Sequence, residues 1–172
     1  MNIKLYSVLL LSFILINANA SAKVVAGVQR ISNTGAVFNL DTSIPALGEA
    51  YRDPSGVIWG SAAIREGQIQ TMNFWDADKF CKESGTRLPT IWEYDQLARY
   101  LGYETSQGYS PYLADGQTDF LSALSHYWFW SSSTNGDETR AYLLTGSSGR
   151  TNSEMNLNWN DGSVAVRCVA SP

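Results

Sequence analysis

Two stretches of the chain repeat their apolar residues at helical spacing. Phe74, Ala77, Phe80 and Cys81 share one face of a helix expected over 74–84. Asn73 stands where an N-cap belongs, and Asp76 falls in the first turn, where the helix dipole favours an acid. Gly85 supplies the stop. Ile91, Tyr94, Leu97, Ala98 and Leu101 line a second helix, expected over 91–101. Thr90 and Glu93 form a capping box at its start, each side chain able to reach the other's backbone N–H, and Gly102 ends it. Only Thr86, Arg87, Leu88 and Pro89 join the two helices.

Elsewhere the pattern is that of strands and turns. Tyr51 on one side and Val57, Ile58 and Trp59 on the other flank Asp53-Pro54-Ser55-Gly56, a strong turn signal, so a hairpin is expected. Buried strands are expected over 127–133, 141–144 and 164–169, and loops over 103–119 and 145–162. A loop as long as the first is usually functional or mobile. Val24 and Val25, then Val37 and Phe38, predict short strands about a turn at Asn33-Thr34-Gly35. Pro45 and Gly48 mark a boundary, leaving 21–46 as an N-terminal arm or short strands and 47–172 as one domain. The expected fold class is α+β, with the helices segregated to one side of an antiparallel sheet. No internal repeat or low-complexity segment interrupts it.

The first residues read differently. Lys4, the apolar run over 5–16 and the small residues of Ala18-Asn19-Ala20 predict a signal peptide over 1–20, with Ser21 as the mature start. The run is shorter than the roughly 20 residues a membrane span needs. The mature chain is therefore expected in the periplasm, outside the cell or on its surface, and not inserted in a membrane.

Charge and cysteines narrow the function. The whole chain carries a net charge of -4, and loss of Lys4 with the signal peptide makes it more negative. Nucleic acids and anionic membrane surfaces bind through basic patches, so neither is an expected partner. Cys81 and Cys168 are the only cysteines. In an exported chain, two cysteines most simply form one disulfide. Free thiols, or a single catalytic thiol, are the alternatives.

Several segments together carry a resemblance. Asp53-Pro54-Ser55-Gly56-Val57-Ile58-Trp59, the segment 75–81, Arg87-Leu88-Pro89-Thr90 with Glu93, Trp130-Ser131-Ser132-Ser133 and Val166-Arg167-Cys168-Val169 stand in order. This arrangement resembles the Lcl C-terminal (collagen-like-protein C-terminal) domain family of bacterial exported proteins over roughly residues 50–169. That family is similar to the formylglycine-generating sulfatase-modifying enzymes, and both resemble the C-type lectin fold. The resemblance implies a C-type-lectin-like domain, a helix-to-last-strand disulfide, and surface binding or adhesion. It does not carry over the enzymes' activity, which uses a pair of active-site cysteines. Here both cysteines fall on the structural positions.

The remaining motifs are weighed by their chemistry. Arg87-Leu88-Pro89-Thr90 is expected to be structural: Pro89 fixes the approach, Thr90 caps, Leu88 fills the core, and Arg87 satisfies a buried carboxylate or carbonyls. Trp159-Asn160-Asp161 matches the signature of calcium-dependent C-type lectins. Its usual partner motifs are missing, so calcium has weak support and no cofactor or metal is expected; Asn160-Asp161-Gly162 is expected as a turn between strands. Trp128 and Trp130 are expected in the core. Trp159, beside the polar loop, is the better stacking platform, and Trp159, Asn160 and Asp161, with Asn156 and Asn158, are the candidate ligand-binding residues. Ser147, Ser148, Asn152 and Ser153 add hydroxyls and an amide to the same stretch. His126 is the only histidine, and no catalytic residue is expected. The sequence thus predicts a non-enzymatic, adhesin-like module that binds a surface glycan or protein through its long loops. The alternatives are a structural subunit of an exported assembly, docked through 21–46, and an enzyme related to the formylglycine-generating group.

Overall fold

The computed structural model describes residues 29–32, 34–65, 68–102, 127–146, 149–159 and 161–171. The expected signal peptide, the strand at 24–25, the loop over 103–119, His126 and Asn160 lie outside them.

The N-terminal half builds most of one sheet. Strands β1 (Gln29–Ile31), β2 (Val37–Asp41), β3 (Ala50–Arg52) and β4 (Ile58–Ala62) pair antiparallel in sequence order. The expected hairpin is β3–β4, with Tyr51 opposite Trp59 and Arg52 opposite Ile58. Asp53 organises its turn. The carboxylate accepts from the backbone N–H groups of Ser55 and Val57 at 2.8 and 3.0 Å, and from the Trp59 indole at 2.8 Å. Of the stretch expected as an N-terminal arm or short strands, β1 and β2 join this sheet, β2 where Val37 and Phe38 predict a strand, and Phe38 is fully buried in the core. A short antiparallel pair follows, β5 (Ile64–Arg65) with β6 (Gln68–Ile69).

Both helices form where the caps place them. Helix α1 spans Phe74–Glu83, and Asn73 Oδ1 accepts from the Asp76 N–H at 2.9 Å. Gly85 follows at φ +68, a left-handed backbone conformation that glycine adopts without a side-chain penalty. Helix α2 spans Ile91–Tyr100 and carries the complete Thr90–Glu93 capping box.

The C-terminal half builds a second sheet. It contains β7 (Trp128–Thr134), β8 (Arg140–Thr145), β9 (Arg150–Asn156) and β10 (Val164–Ala165), in the order β10-β7-β8-β9. Strand β10 runs parallel to β7, whereas the other pairs are antiparallel. The last strand, β11 (Arg167–Ala170), returns to the first sheet beside β4. The expected strand over 164–169 is therefore two strands serving two sheets, with Val166 between them. Every residue from 164 to 170 is buried, so the run has no polar alternation to mark the break.

Strand β9 corrects the sequence reading, which took 145–162 as loop. Its residues are polar because it is the outer strand of its sheet, where charged and polar side chains oppose edge-to-edge association. Its register also shifts between the Leu143–Ser153 and Thr145–Arg150 pairs, which breaks the two-residue periodicity.

The helices do not share one side of a sheet, contrary to expectation. Phe129 and Leu144 pack with Tyr94, Leu97 and Ala98 of α2, whereas their neighbours Trp130 and Leu143 pack with Phe74, Ala77 and Cys81 of α1. Adjacent strand residues point to opposite faces, so α1 and α2 cover opposite faces of the second sheet. The short linker allows this because it is itself built in. Arg87 and Val169 exchange backbone hydrogen bonds of 3.0 and 2.8 Å, and Leu88 is buried. The expected disulfide joins Cys81 of α1 to Cys168 of β11, with a Cα–Cα distance of 5.5 Å. Among the described residues, no helix is long and apolar enough to cross a membrane.

Candidate functional site

The chain leaving β9 is pinned before it turns. Leu157 is buried in the core beside α1. Its N–H donates to the Thr139 carbonyl at 3.2 Å, and its carbonyl accepts from the Phe74 N–H at 3.2 Å. The turn beyond it is held by its own polar groups. Asn156 Oδ1 accepts from the Asn158 N–H at 2.9 Å, and the Asn156 carbonyl accepts from the Trp159 N–H at 2.9 Å. Asp161 Oδ1 accepts from the Ser163 N–H at 2.9 Å and from the Ser163 hydroxyl. Gly162 lies at φ +80, which makes the expected turn accessible to the backbone.

This arrangement places four of the five candidate residues on one turn. Trp159, Asp161, Asn156 and Asn158 are all exposed, and Asn160 lies outside the described residues. The Ser163 hydroxyl, with the Trp159 side chain and the Ser163 backbone N–H, holds the Asp161 carboxyl below the usual aspartate value. Trp159 itself is 45% exposed. The Ser153 hydroxyl, expected to be free in a loop, instead contacts the Thr145 hydroxyl at 3.3 Å on the sheet.

Calcium is the ion that the Trp159-Asn160-Asp161 motif brings into question. The ion takes about six to eight oxygen ligands. Asp161 Oδ1 is occupied by Ser163, Asn156 Oδ1 by Asn158, and no cluster of three or more His, Cys, Asp or Glu side chains able to hold a metal occurs among the described residues.

Two tryptophan assignments change. Trp128, expected in the core, is 38% exposed at the first position of β7. Trp130 is buried as expected, and its indole donates to the Met72 carbonyl at 2.7 Å. The sequence reading passed over Trp75, 56% exposed on α1, and Trp92, 77% exposed on α2. Their signal was available, since both fall off the apolar stripes of their helices. Phe80 was placed on the α1 stripe and is 41% exposed. Four of the six tryptophans therefore face solvent.

No protein-family model matches the chain, and no curated protein matches it.

Proposed function

We propose that this chain is an exported, non-catalytic binding module that recognises a surface glycan or protein through its connecting segments, in the manner of an adhesin. The observation that carries the reading is the Trp159 turn: an open indole face beside amides and a carboxylate, on a segment pinned to the core at Leu157. A rigid scaffold presenting a loop of this kind loses little conformational freedom on binding. The scaffold is proposed to be C-type-lectin-like, akin to the Lcl C-terminal family. The α+β layering and the α1–β11 disulfide support that assignment. The disulfide also supports export, since such bonds persist in oxidising compartments. Both cysteines are in the bridge, which favours binding over the thiol chemistry of the formylglycine-generating group.

The test is a glycan array on the folded chain, repeated with the Asn160→Ala/Asp161→Ala variant. Loss of binding with an unchanged circular dichroism spectrum supports the reading. Unchanged affinity in the double variant removes the site from this turn.

A further inference from the structure

Asn135 is the only asparagine of the chain followed by glycine. It opens the turn between β7 and β8, where backbone and side chain are both hydrogen-bonded. Its N–H donates to the Arg140 carbonyl at 2.9 Å, and its carbonyl accepts from the Glu138 N–H at 3.0 Å. Its Oδ1 accepts from the backbone N–H groups of Thr139 and Arg140 at 3.1 and 2.9 Å. Two donors on one amide oxygen polarise the Cγ carbonyl and favour negative charge arriving there, as an oxyanion hole does. The amide nitrogen is held more loosely, by a 3.5 Å contact with the Thr139 hydroxyl.

The next backbone nitrogen is open to react. Gly136 is exposed, its N–H has no acceptor among the described residues, and a Cβ built on it would meet nothing within 4 Å. Asn152 and Asn160 are followed instead by Ser153 and Asp161, whose side chains crowd the nitrogen that would attack. Asp161-Gly162 has the glycine, but there the Ser163 hydroxyl and N–H favour the charged carboxylate, a poor electrophile.

The turn is also tied to the Trp159 segment. The Thr139 N–H is shared between Asn135 Oδ1 and Asp137 Oδ1, each at 3.1 Å. The Thr139 carbonyl accepts from the Leu157 N–H at 3.2 Å, one of the bonds that pin the chain before Trp159.

We infer that Asn135-Gly136 is a self-modification site, and that its slow conversion to isoaspartate loosens the seat of the Trp159 turn. The Gly136 nitrogen gives its proton to solvent base and attacks Asn135 Cγ. The N–Cγ bond forms, the Cγ–Nδ2 bond breaks, and the side-chain nitrogen takes up a proton and leaves as ammonia. Water then opens the cyclic imide. Cleavage at Cγ gives aspartate, whereas cleavage at the main-chain carbonyl of residue 135 gives isoaspartate, whose backbone runs through Cβ and Cγ. The former Oδ1 becomes the main-chain carbonyl oxygen and the former carbonyl becomes a free carboxylate. The acceptors that now serve Glu138, Thr139 and Arg140 cannot all keep their places. Both parts of the inference stand on the chemistry and geometry of this turn and are independent of what the Trp159 turn binds.

The experiment holds the folded chain in mildly alkaline buffer and samples it over weeks. Peptide mapping, with fragmentation that separates isoaspartate from aspartate, locates the products. Asn135 should convert before Asn152 and Asn160. Gly136 has open space and no left-handed backbone, so Gly136→Ala should fold. That variant should slow conversion at least about fivefold, since a Cβ narrows the conformations open to the attacking residue. Hydrogen exchange reads the consequence: in the purified isoaspartate form the Leu157 amide should exchange at least about fivefold faster, as loss of local hydrogen bonding does. Asn135→Asp keeps an acceptor oxygen and should leave Leu157 exchange close to native, which assigns the effect to the altered backbone and not to the added charge. Asn135 left intact in the folded chain, over a period in which the reduced, guanidinium-unfolded chain converts, overturns the site. Conversion with unchanged Leu157 exchange overturns the link to the Trp159 turn, as does equal loosening in Asn135→Asp.

Discussion

Arg87 grips Glu93 with both ends of its guanidinium, Nη1 to Oε2 at 2.8 Å and Nη2 to Oε1 at 2.6 Å. Glu93 Oε2 also accepts from the Thr90 N–H at 2.7 Å, so one carboxylate serves the helix cap and the ion pair together. Arg87 Nη2 reaches on to the Ser171 hydroxyl at 2.7 Å. The arginine of the interhelix linker therefore ties the start of α2 to the residue that follows β11.

The ion pair should give stability a carboxylate-type pH dependence. Burial opposes the charge on Glu93 most strongly, but the hydrogen bonds from Arg87 and Thr90, with the charge of Arg87, outweigh it and hold the carboxyl below its ordinary 4.5. A carboxyl with a lowered folded pKa binds fewer protons when folded than when unfolded. Its contribution is complete above the unfolded value and is lost as pH falls through the folded one. Glu93→Gln keeps a capping-box residue but removes the ion pair, at an expected cost of about 1 kcal/mol at neutral pH. Urea midpoints should show the difference from the native chain shrinking as pH falls below about 4.5. A gap that stays constant down to acid pH would show that the ion pair contributes nothing.

Asp53 is a second carboxylate with all of its work inside the fold. Besides the backbone contacts of its turn, it accepts from the Ser55 hydroxyl at 2.6 Å and from the buried Trp59 indole. Asp53→Asn replaces one acceptor oxygen with a donor group, which faces either the indole N–H or the donors of the turn. Leaving a buried donor without its acceptor costs about 1–3 kcal/mol, and that loss is expected in chemical denaturation. A variant within about 0.5 kcal/mol of the native chain would mean that the turn rearranges without strain.

The disulfide closes a sequence separation of 87 residues. Loop-closure arguments place its contribution at about 4 kcal/mol. Guanidinium unfolding of the Cys81→Ala/Cys168→Ala variant should show a loss of this size, and mass mapping of non-reduced protein should recover the linked peptide pair. Finding both thiols free would reverse the assignment.

Calcium should make no difference to the Trp159 turn. Thermal midpoints and saccharide affinity are expected to be the same with added calcium and with EDTA, because a ligand that binds the native state raises its stability and EDTA would remove that gain. A rise in both on adding calcium would mean that residues outside the described ones complete an ion site.

Local physics was readable without a structure. Asn73, Thr90 with Glu93, and Gly85 act on backbone groups within a few residues, so they mark helix ends from sequence alone. The Asp53-Pro54-Ser55-Gly56 turn is local in the same sense, and the β3–β4 hairpin formed where it was expected. The candidate site was partly legible too, since Trp159 and Asp161 lie two residues apart and share one turn.

What only the tertiary structure decided was which surfaces meet. Phe129 and Trp130 are both apolar, and nothing in their order says that each answers to a different helix. Strand β9 hid behind polar residues, because an outer strand gains its hydrogen bonds from a neighbour without burying an apolar face. The run 164–170 hid its break because both sheets bury it. A backbone hydrogen bond from the Phe74 N–H to the Leu157 carbonyl ties the start of α1 to the chain leaving β9. Caps and turns are short-range interactions and are written in short stretches of sequence. Strand partners and covered faces come from long-range packing, where the contribution of each residue depends on neighbours that the fold alone supplies.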